Sequence, residues 1–321
     1  MNFTESREQR DFGASLSGLL DSSDVPTVIR AWSEGDFASG RKLWARIADS
    51  GVTALAMPEQ HGGFGAHPVD LVIAFEVLGR FAVPGPWVES VAVLPALLAG
   101  TPAADQLSSI AAGEALATVS MPPHVPFALD ATAADAVFVV DGGRLATATV
   151  SMEHRSVDRA RRLATVSARE SIASVDAQRA FELGTLATAA QILGAGQAVL
   201  EMSRTYATQR VQFGRVIGGF QVVKHLLADA LVGLDLARPL LLGAAVALAD
   251  DAPTFGRDVS AAKVACTDAA YRSARTALQV HGAIGYTSEY DLALWLTKIR
   301  ALTSAWGTQA SHRARVLAAI S

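Results

Sequence analysis

Two stretches carry residue types and spacings that could do chemistry: Arg210-Val211-Gln212-Phe213-Gly214 and, further on, Gln279-Val280-His281-Gly282-Ala283-Ile284-Gly285-Tyr286. The guanidinium of Arg210 offers five donors in a fixed fork that suits a pyrophosphate. The Phe213-Gly214 pair lets a helix end while setting an aromatic beside a ring. Alone, such a motif is weak, because an arginine near a helix end is usually a solvated charge. Phe220-Gln221 follows soon after, and Gly282, Ala283 and Gly285 would let backbone approach a dinucleotide where wider side chains would not. His281 has no second histidine or carboxylate at ligand spacing, so it reads as a capping or packing residue and no metal is expected. Ser/His/Asp and phosphate-loop patterns are absent.

Three regions must position these residues. From 1 to 115 the chain reads as a helical domain, with Leu43, Trp44, Ile47 and Ala48 on one face, Gly51 as a stop, and Val69, Ile73, Val77 and Phe81 as a second stripe. Between them Met57-Pro58-Glu59-Gln60-His61-Gly62-Gly63-Phe64-Gly65 is a glycine-rich turn. From 116 to 176 short β-branched runs appear at Leu116–Met121, Ala136–Val140, Leu145–Val150 and Leu163–Val166, separated by Asp141-Gly142-Gly143 and a charged stretch from Glu153 to Arg162. This is a small β-module. From 177 to 321 the chain turns helical again, with Val259, Ala262, Cys266, Ala269, Ser273, Ala277 and Val280 at three- and four-residue steps, which predicts a four-helix domain. Pro239 stands inside the helical pattern from Phe220 to Ala249 and predicts a kink or a break.

Composition narrows the partners. The 321 residues are 50% hydrophobic with a net charge of -4, enough for a large core and without a basic stripe, which argues against nucleic acid. Cys266 is the only cysteine, which excludes an intrachain disulfide and fits a reducing cytoplasm. Met1 to Glu8 carries no apolar core of a secretory signal. The most apolar stretch, Pro239 to Ala249, falls short of the roughly 20 residues of a bilayer span, so no membrane partner is expected.

The arginine and glutamine-glycine motifs, with Pro58-Glu59 to Gly65 before them and Tyr286-Thr287-Ser288-Glu289-Tyr290 after, resemble the acyl-CoA dehydrogenase family. That resemblance implies a mostly α fold with an N-terminal helical domain, a β-domain and a C-terminal four-helix bundle, and FAD as cofactor. Arg210, Gln212, Phe213, Gln221, Gln279, Val280, Gly282 and Ala283 then match the segments that in homomeric members reach across a subunit interface to a neighbour's flavin. The Thr-Glu-x-x-Ala-Gly-Ser-Asp loop and Trp-x-Thr strand end with which the family's β-domain holds a subunit's own flavin are missing, and the module is shortened. Thr308 matches the family's adenine-side threonine, but Ala310 stands where glutamine is usual.

The family's base is missing as well. Many members read Tyr-Glu-Gly-Thr where this chain has Ala305-Trp306-Gly307-Thr308, and relatives such as isovaleryl-CoA dehydrogenase place the glutamate on an earlier helix at the position of Gly184. Removing an α-proton needs a carboxylate at the α-carbon, and an indole cannot supply one. Trp306 is expected to be a core aromatic or a plug in the vacant pocket. Glu182, rotated by roughly 200° from Gly184 on a helix, reads as a surface carboxylate.

The resemblance thus implies a chain without a catalytic residue: the smaller subunit of a heteromeric α2β2 enzyme like those of actinobacterial steroid-CoA breakdown. Its partners would be a longer acyl-CoA dehydrogenase subunit carrying the base and a full β-domain, an acyl-CoA substrate, and an acceptor such as electron-transfer flavoprotein. Two other readings stay open: a self-sufficient homo-oligomer (dehydrogenase, oxidase or monooxygenase) with Glu182 or another carboxylate as base, and a flavin-free structural pseudoenzyme. No basic cluster for the CoA phosphates stands out.

Overall fold

The computed structural model describes residues 5–321. Its first part is helical: α1 (Arg7–Asp21), α2 (Val25–Glu34), α3 (Ala38–Ala48), α4 (Pro68–Arg80), a π-helical turn (Val88–Val93) running into α5 (Leu94–Leu98), and α6 (Gln106–Ala111). Local chemistry sets several of these ends. Ser6 and Gln9 form a reciprocal cap on α1, while Asp24 caps α2, whose far end stops at Gly35 with φ 88. Leu43, Trp44 and Ile47 are buried as their spacing predicts. In α4 the order is different: Leu71, Val72, Phe75 and Leu78 are fully buried, whereas Val69, Val77 and Phe81 are half-buried. This helix is sandwiched between α1 and the C-terminal helices, so its buried arc is wider than one apolar stripe.

The sheet contains β1 (Ala117–Ser120), β2 (Ala128–Leu129), β3 (Ala136–Asp141), β4 (Arg144–His154) and β5 (Leu163–Ser174), in the order β1-β3-β4-β5-β2. Only β1 and β3 pair parallel; the others are antiparallel. The strands β4 and β5 run past the expected ends, to His154 and Ser174, because backbone pairing continues where the side chains have become polar and exposed. The charged stretch from Glu153 therefore begins inside a strand, and the two-residue β2 is too short to show as a pattern.

The C-terminal part holds α7 (Gln178–Gln209), a hairpin of β6 (Val211–Gln212) and β7 (Arg215–Val216), then α8 (Gln221–Ala249), α9 (Phe255–His281), α10 (Leu292–Leu302) and α11 (Gln309–Ala318). Every member of the predicted Val259-to-Val280 stripe is buried on α9. Alanine and glycine let these helices come close: an added Cβ at Gly196 of α7 would stand 2.8 Å from Ala270 of α9.

Pro239 does not break α8, which is continuous through it. The proline ring faces solvent while Leu234, Ala237, Leu241 and Leu242 are buried around it, and that packing offsets a proline cost of about 3 kcal/mol. An unbroken α8 also changes the membrane reading. Both α7 and α8 are long and apolar enough to cross a bilayer by length and composition. The apolar length of α7 is spent in the core, with Leu186, Ile192, Leu193 and Val199 buried. By contrast α8 leaves Leu231, Val232, Leu236 and Leu240 between 49% and 68% exposed, along one side of the helix.

Candidate functional site

Helices α7 and α9 run parallel: Ser273 Oγ donates to the Gly196 carbonyl at 2.8 Å, and further along both helices the Tyr206 ring stacks on His281 at 4.3 Å. Their C-termini therefore lie at the same end of the bundle, and the two motifs are brought together across that stack. Arg210 closes α7 in an extended conformation, and its carbonyl accepts from Ile217 N at 2.8 Å. Phe213 and Gly214 both have positive φ, 52 and 78, as a two-residue hairpin turn that matches strand twist requires. That turn holds Phe213 out in solvent at 92% exposure. Arg210, Gln212, Gln221, Gln279, Gly282 and Ala283 are exposed as well, and Arg215 lies 4.1 Å over the Phe220 ring. Val280 differs, since its side chain is buried and only its backbone can serve a ligand.

Gly282 has φ 63 and nothing near its missing Cβ, so backbone conformation, not space, calls for glycine there. His281 is buried; its Nδ1 lies 2.8 Å from the Ala277 carbonyl and Nε2 has no partner. Burial lowers its pKa, against the opposing pull of that carbonyl. The histidine packs, as expected from its sequence, between Tyr206 and Tyr290.

The two positions where a base was sought touch each other. Trp306, in the turn between α10 and α11, is 2% exposed and lies against Gly184 so closely that an added Cβ would stand 2.6 and 2.7 Å from its ring carbons. Its indole Nε1 donates to Glu89 Oε1 at 3.1 Å, and its carbonyl accepts from His312 Nε2 at 2.9 Å. With Nε2 donating, His312 Nδ1 accepts from Ser260 Oγ, which in turn accepts from Arg315. Burial pushes His312 down to about 4, so it is neutral here near pH 7. Trp306 is thus both a core aromatic and a plug over Gly184.

Glu182 is not on the surface. It is completely buried and paired with Arg315, which reaches it from α11, a helix packed on α9. Burial raises its pKa while Arg315 opposes the rise. Thr308 caps α11 by accepting from Ser311 N at 3.2 Å.

Glu89 went unread in the sequence, although a lone acid in the apolar run from Trp87 to Leu98 was its signal. It is 2% exposed, burial raises its pKa against the field of Arg161, and its Oε2 has no hydrogen-bond partner. It borders a cleft of about 590 Å³ between the sheet and the α10–α11 turn, lined also by His124, Phe127, Val157, Arg161 and Trp306. A basic cluster absent from the sequence reading lies next to it: His154, Arg155, Arg159, Arg161 and Arg162 surround a second cleft of about 640 Å³. They belong to the charged stretch from Glu153 to Arg162, which the end of β4 and the connection to β5 gather around one cleft.

The model of the acyl-CoA dehydrogenase N-terminal domain matches residues 6–114, and that of the C-terminal domain matches residues 175–321. The chain is 30% identical over 299 residues to acyl-CoA dehydrogenase IpdE2 of Mycobacterium tuberculosis, covering 92% of each. In fold it is similar to the ChsE4-ChsE5 complex of Mycobacterium tuberculosis, with TM-score 0.84, 23% identity and 100% and 99% of the two chains covered. The Tcur3481-Tcur3483 steroid ACAD variant gives TM-score 0.85 at 20% identity, covering 98% of this chain and 97% of that one.

Proposed function

Since the chain belongs to the acyl-CoA dehydrogenase family, we propose that it is the subunit without a base in a heteromeric FAD-dependent acyl-CoA dehydrogenase, completing a FAD site that a longer partner subunit holds. The observation that carries this reading is the contact of Trp306 with Gly184: both positions for the base lie in one small space, and an indole fills it. Glu182, the nearest carboxylate along α7, is held by Arg315 and does not line the cleft beside Trp306.

The residues at the bundle end fit half of a dinucleotide site. Arg210 is an exposed guanidinium with no ion-pair partner among the described residues, free to take a pyrophosphate with two parallel hydrogen bonds. Gln212, Gln221 and Gln279 add exposed amides, Gly282 and Ala283 leave the backbone open, and Phe213 presents a ring held by a strained turn. Bound FAD would supply the hydride acceptor for the α,β-dehydrogenation of an acyl-CoA. This chain's part is to bind and orient it, while the partner supplies the carboxylate that takes the α-proton. The exposed apolar row on α8 supports association, being the kind of face that a partner helix covers. A steroid-derived acyl-CoA as substrate draws support from the steroid ACAD pair of similar fold. Electron-transfer flavoprotein is the proposed acceptor, in an assembly working in the cytoplasm.

The test is purification of the chain alone and together with a longer acyl-CoA dehydrogenase encoded beside it. Alone it should carry no flavin; together they should hold FAD and oxidise an acyl-CoA, with flavin content lowered by Arg210→Ala. Stoichiometric FAD and acyl-CoA oxidation in the chain alone would overturn the proposal.

A further inference from the structure

We propose that the cleft between the sheet and the α10–α11 turn binds a free carboxylic acid with an apolar body, its carboxylate on Arg161 and Glu89 beside it. This goes beyond the shared flavin site, which lies on the exposed bundle end. Arg161 is 8% exposed, the only arginine among the buried described residues, and it has neither a side-chain hydrogen bond nor an ion pair among them. None of the nearby acids forms an ion pair with it among the described residues. Asp158 lies 3.5 Å from Lys298, Glu153 pairs with Arg162, and Asp130 accepts from Arg162 N at 3.0 Å. A guanidinium does not give up its proton, so a buried and unpaired one calls for an anion from outside.

Glu89 does not meet that need, because burial favours its neutral form. It accepts from Trp306 at Oε1, and its Oε2 has no protein partner. A guanidinium fork with its donors unspent, on the wall of the cleft, is a donor set for a carboxylate. Val125, Phe127, Leu129, Val157 and Leu163 supply apolar wall, with Ser156, Ser304, Thr308 and Arg300 at other points of the lining, and about 590 Å³ is the size of a small-ligand site. A thioester carbonyl carries no charge and would leave Arg161 unpaired. Free acid is therefore preferred over its CoA ester.

Calorimetric titration of the purified full chain with decanoate, decan-1-ol and decanoyl-CoA tests the proposal. Decanoate should bind one per chain, roughly ten-fold or more tighter than the alcohol or the CoA ester, as expected for a hydrogen-bonded charge. Arg161→Gln should erase that preference, whereas Arg300→Gln, an exposed arginine on the same cleft, should change affinity less than about two-fold. If Arg161→Gln does not fold, Val157→Trp, at a wall residue 56% exposed, obstructs the cleft and should abolish decanoate binding. Equal affinity for acid and alcohol, an unaffected Arg161→Gln or an unaffected Val157→Trp would each overturn the assignment. FAD bound by the chain alone is read separately by its visible absorbance; it counts against the subunit reading, and against this site only if it displaces decanoate.

Discussion

Gly184→Ala and Trp306→Ala, alone and combined, measure whether the indole occupies the space of the missing base. In the native background the new Cβ would stand 2.6 and 2.7 Å from two ring carbons, inside any real contact distance. The ring has little room to withdraw, since Nε1 is bound to Glu89, the carbonyl is held by His312, and the Phe181 centroid lies 6.2 Å away. Overpacking of this kind costs about 1–3 kcal/mol. Alanine in a helix interior returns about 1 kcal/mol relative to glycine, so the net loss should be about 0–2 kcal/mol. Trp306→Ala empties a buried site and should cost about 3–5 kcal/mol. With the ring gone the clash disappears, and Gly184→Ala should now stabilise by about 1 kcal/mol from helix propensity. The sign reverses wherever the clash outweighs helix propensity, with a coupling of about 1–3 kcal/mol. Urea unfolding of the four proteins reads each value from the midpoint at constant slope. If Gly184→Ala costs the same with and without Trp306, the indole does not lie on α7 and the argument from a filled base pocket fails.

Two further outcomes follow from strain and from burial. Phe213→Gly should stabilise the isolated chain by about 1 kcal/mol, because glycine adopts φ 52 without a Cβ penalty, while lowering flavin content in the two-subunit complex. Thermal melts and flavin absorbance check the two halves, and a loss of stability would show that the ring packs within this chain. His312, with a usual pKa of 6.5 lowered to about 4, should cost the fold stability as pH falls. The unfolded chain takes up the proton from about pH 6.5 downward while the folded one does not, so about 3 kcal/mol is lost on approaching pH 4 at about 1.4 kcal/mol per pH unit. His312→Gln should show a correspondingly shallower loss over that window, measured as unfolding free energy at several pH values; equal slopes would mean that the imidazole protonates in the fold.

The chemistry legible in the sequence was local chemistry. Gly214 and Gly282 mark their own turns, because φ 78 and 63 are conformations that glycine adopts freely, whereas φ 52 at Phe213 and the hairpin it closes are not written in the residue type. The α9 stripe was readable for the same reason: a 3.6-residue period is written in the order of residues. Pro239 does not end its helix because a local rule against proline is outweighed by the burial of Leu241 and Leu242 just beyond it. Glu182 was misplaced because its partner, Arg315, lies on another helix far along the chain.

By itself, then, the amino-acid order determined the helical character, the small sheet and the absence of a carboxylate at Gly184 and Trp306. Tertiary structure alone decided that those two positions touch, that α7 and α9 run parallel and bring the motifs to one end, and that Arg161 is buried with no ion pair on the same cleft as the buried Glu89. The division has one physical cause. Turns and periodicity are set by neighbours within a few residues, whereas burial, ion pairing and the filling of a pocket depend on which distant segments pack together.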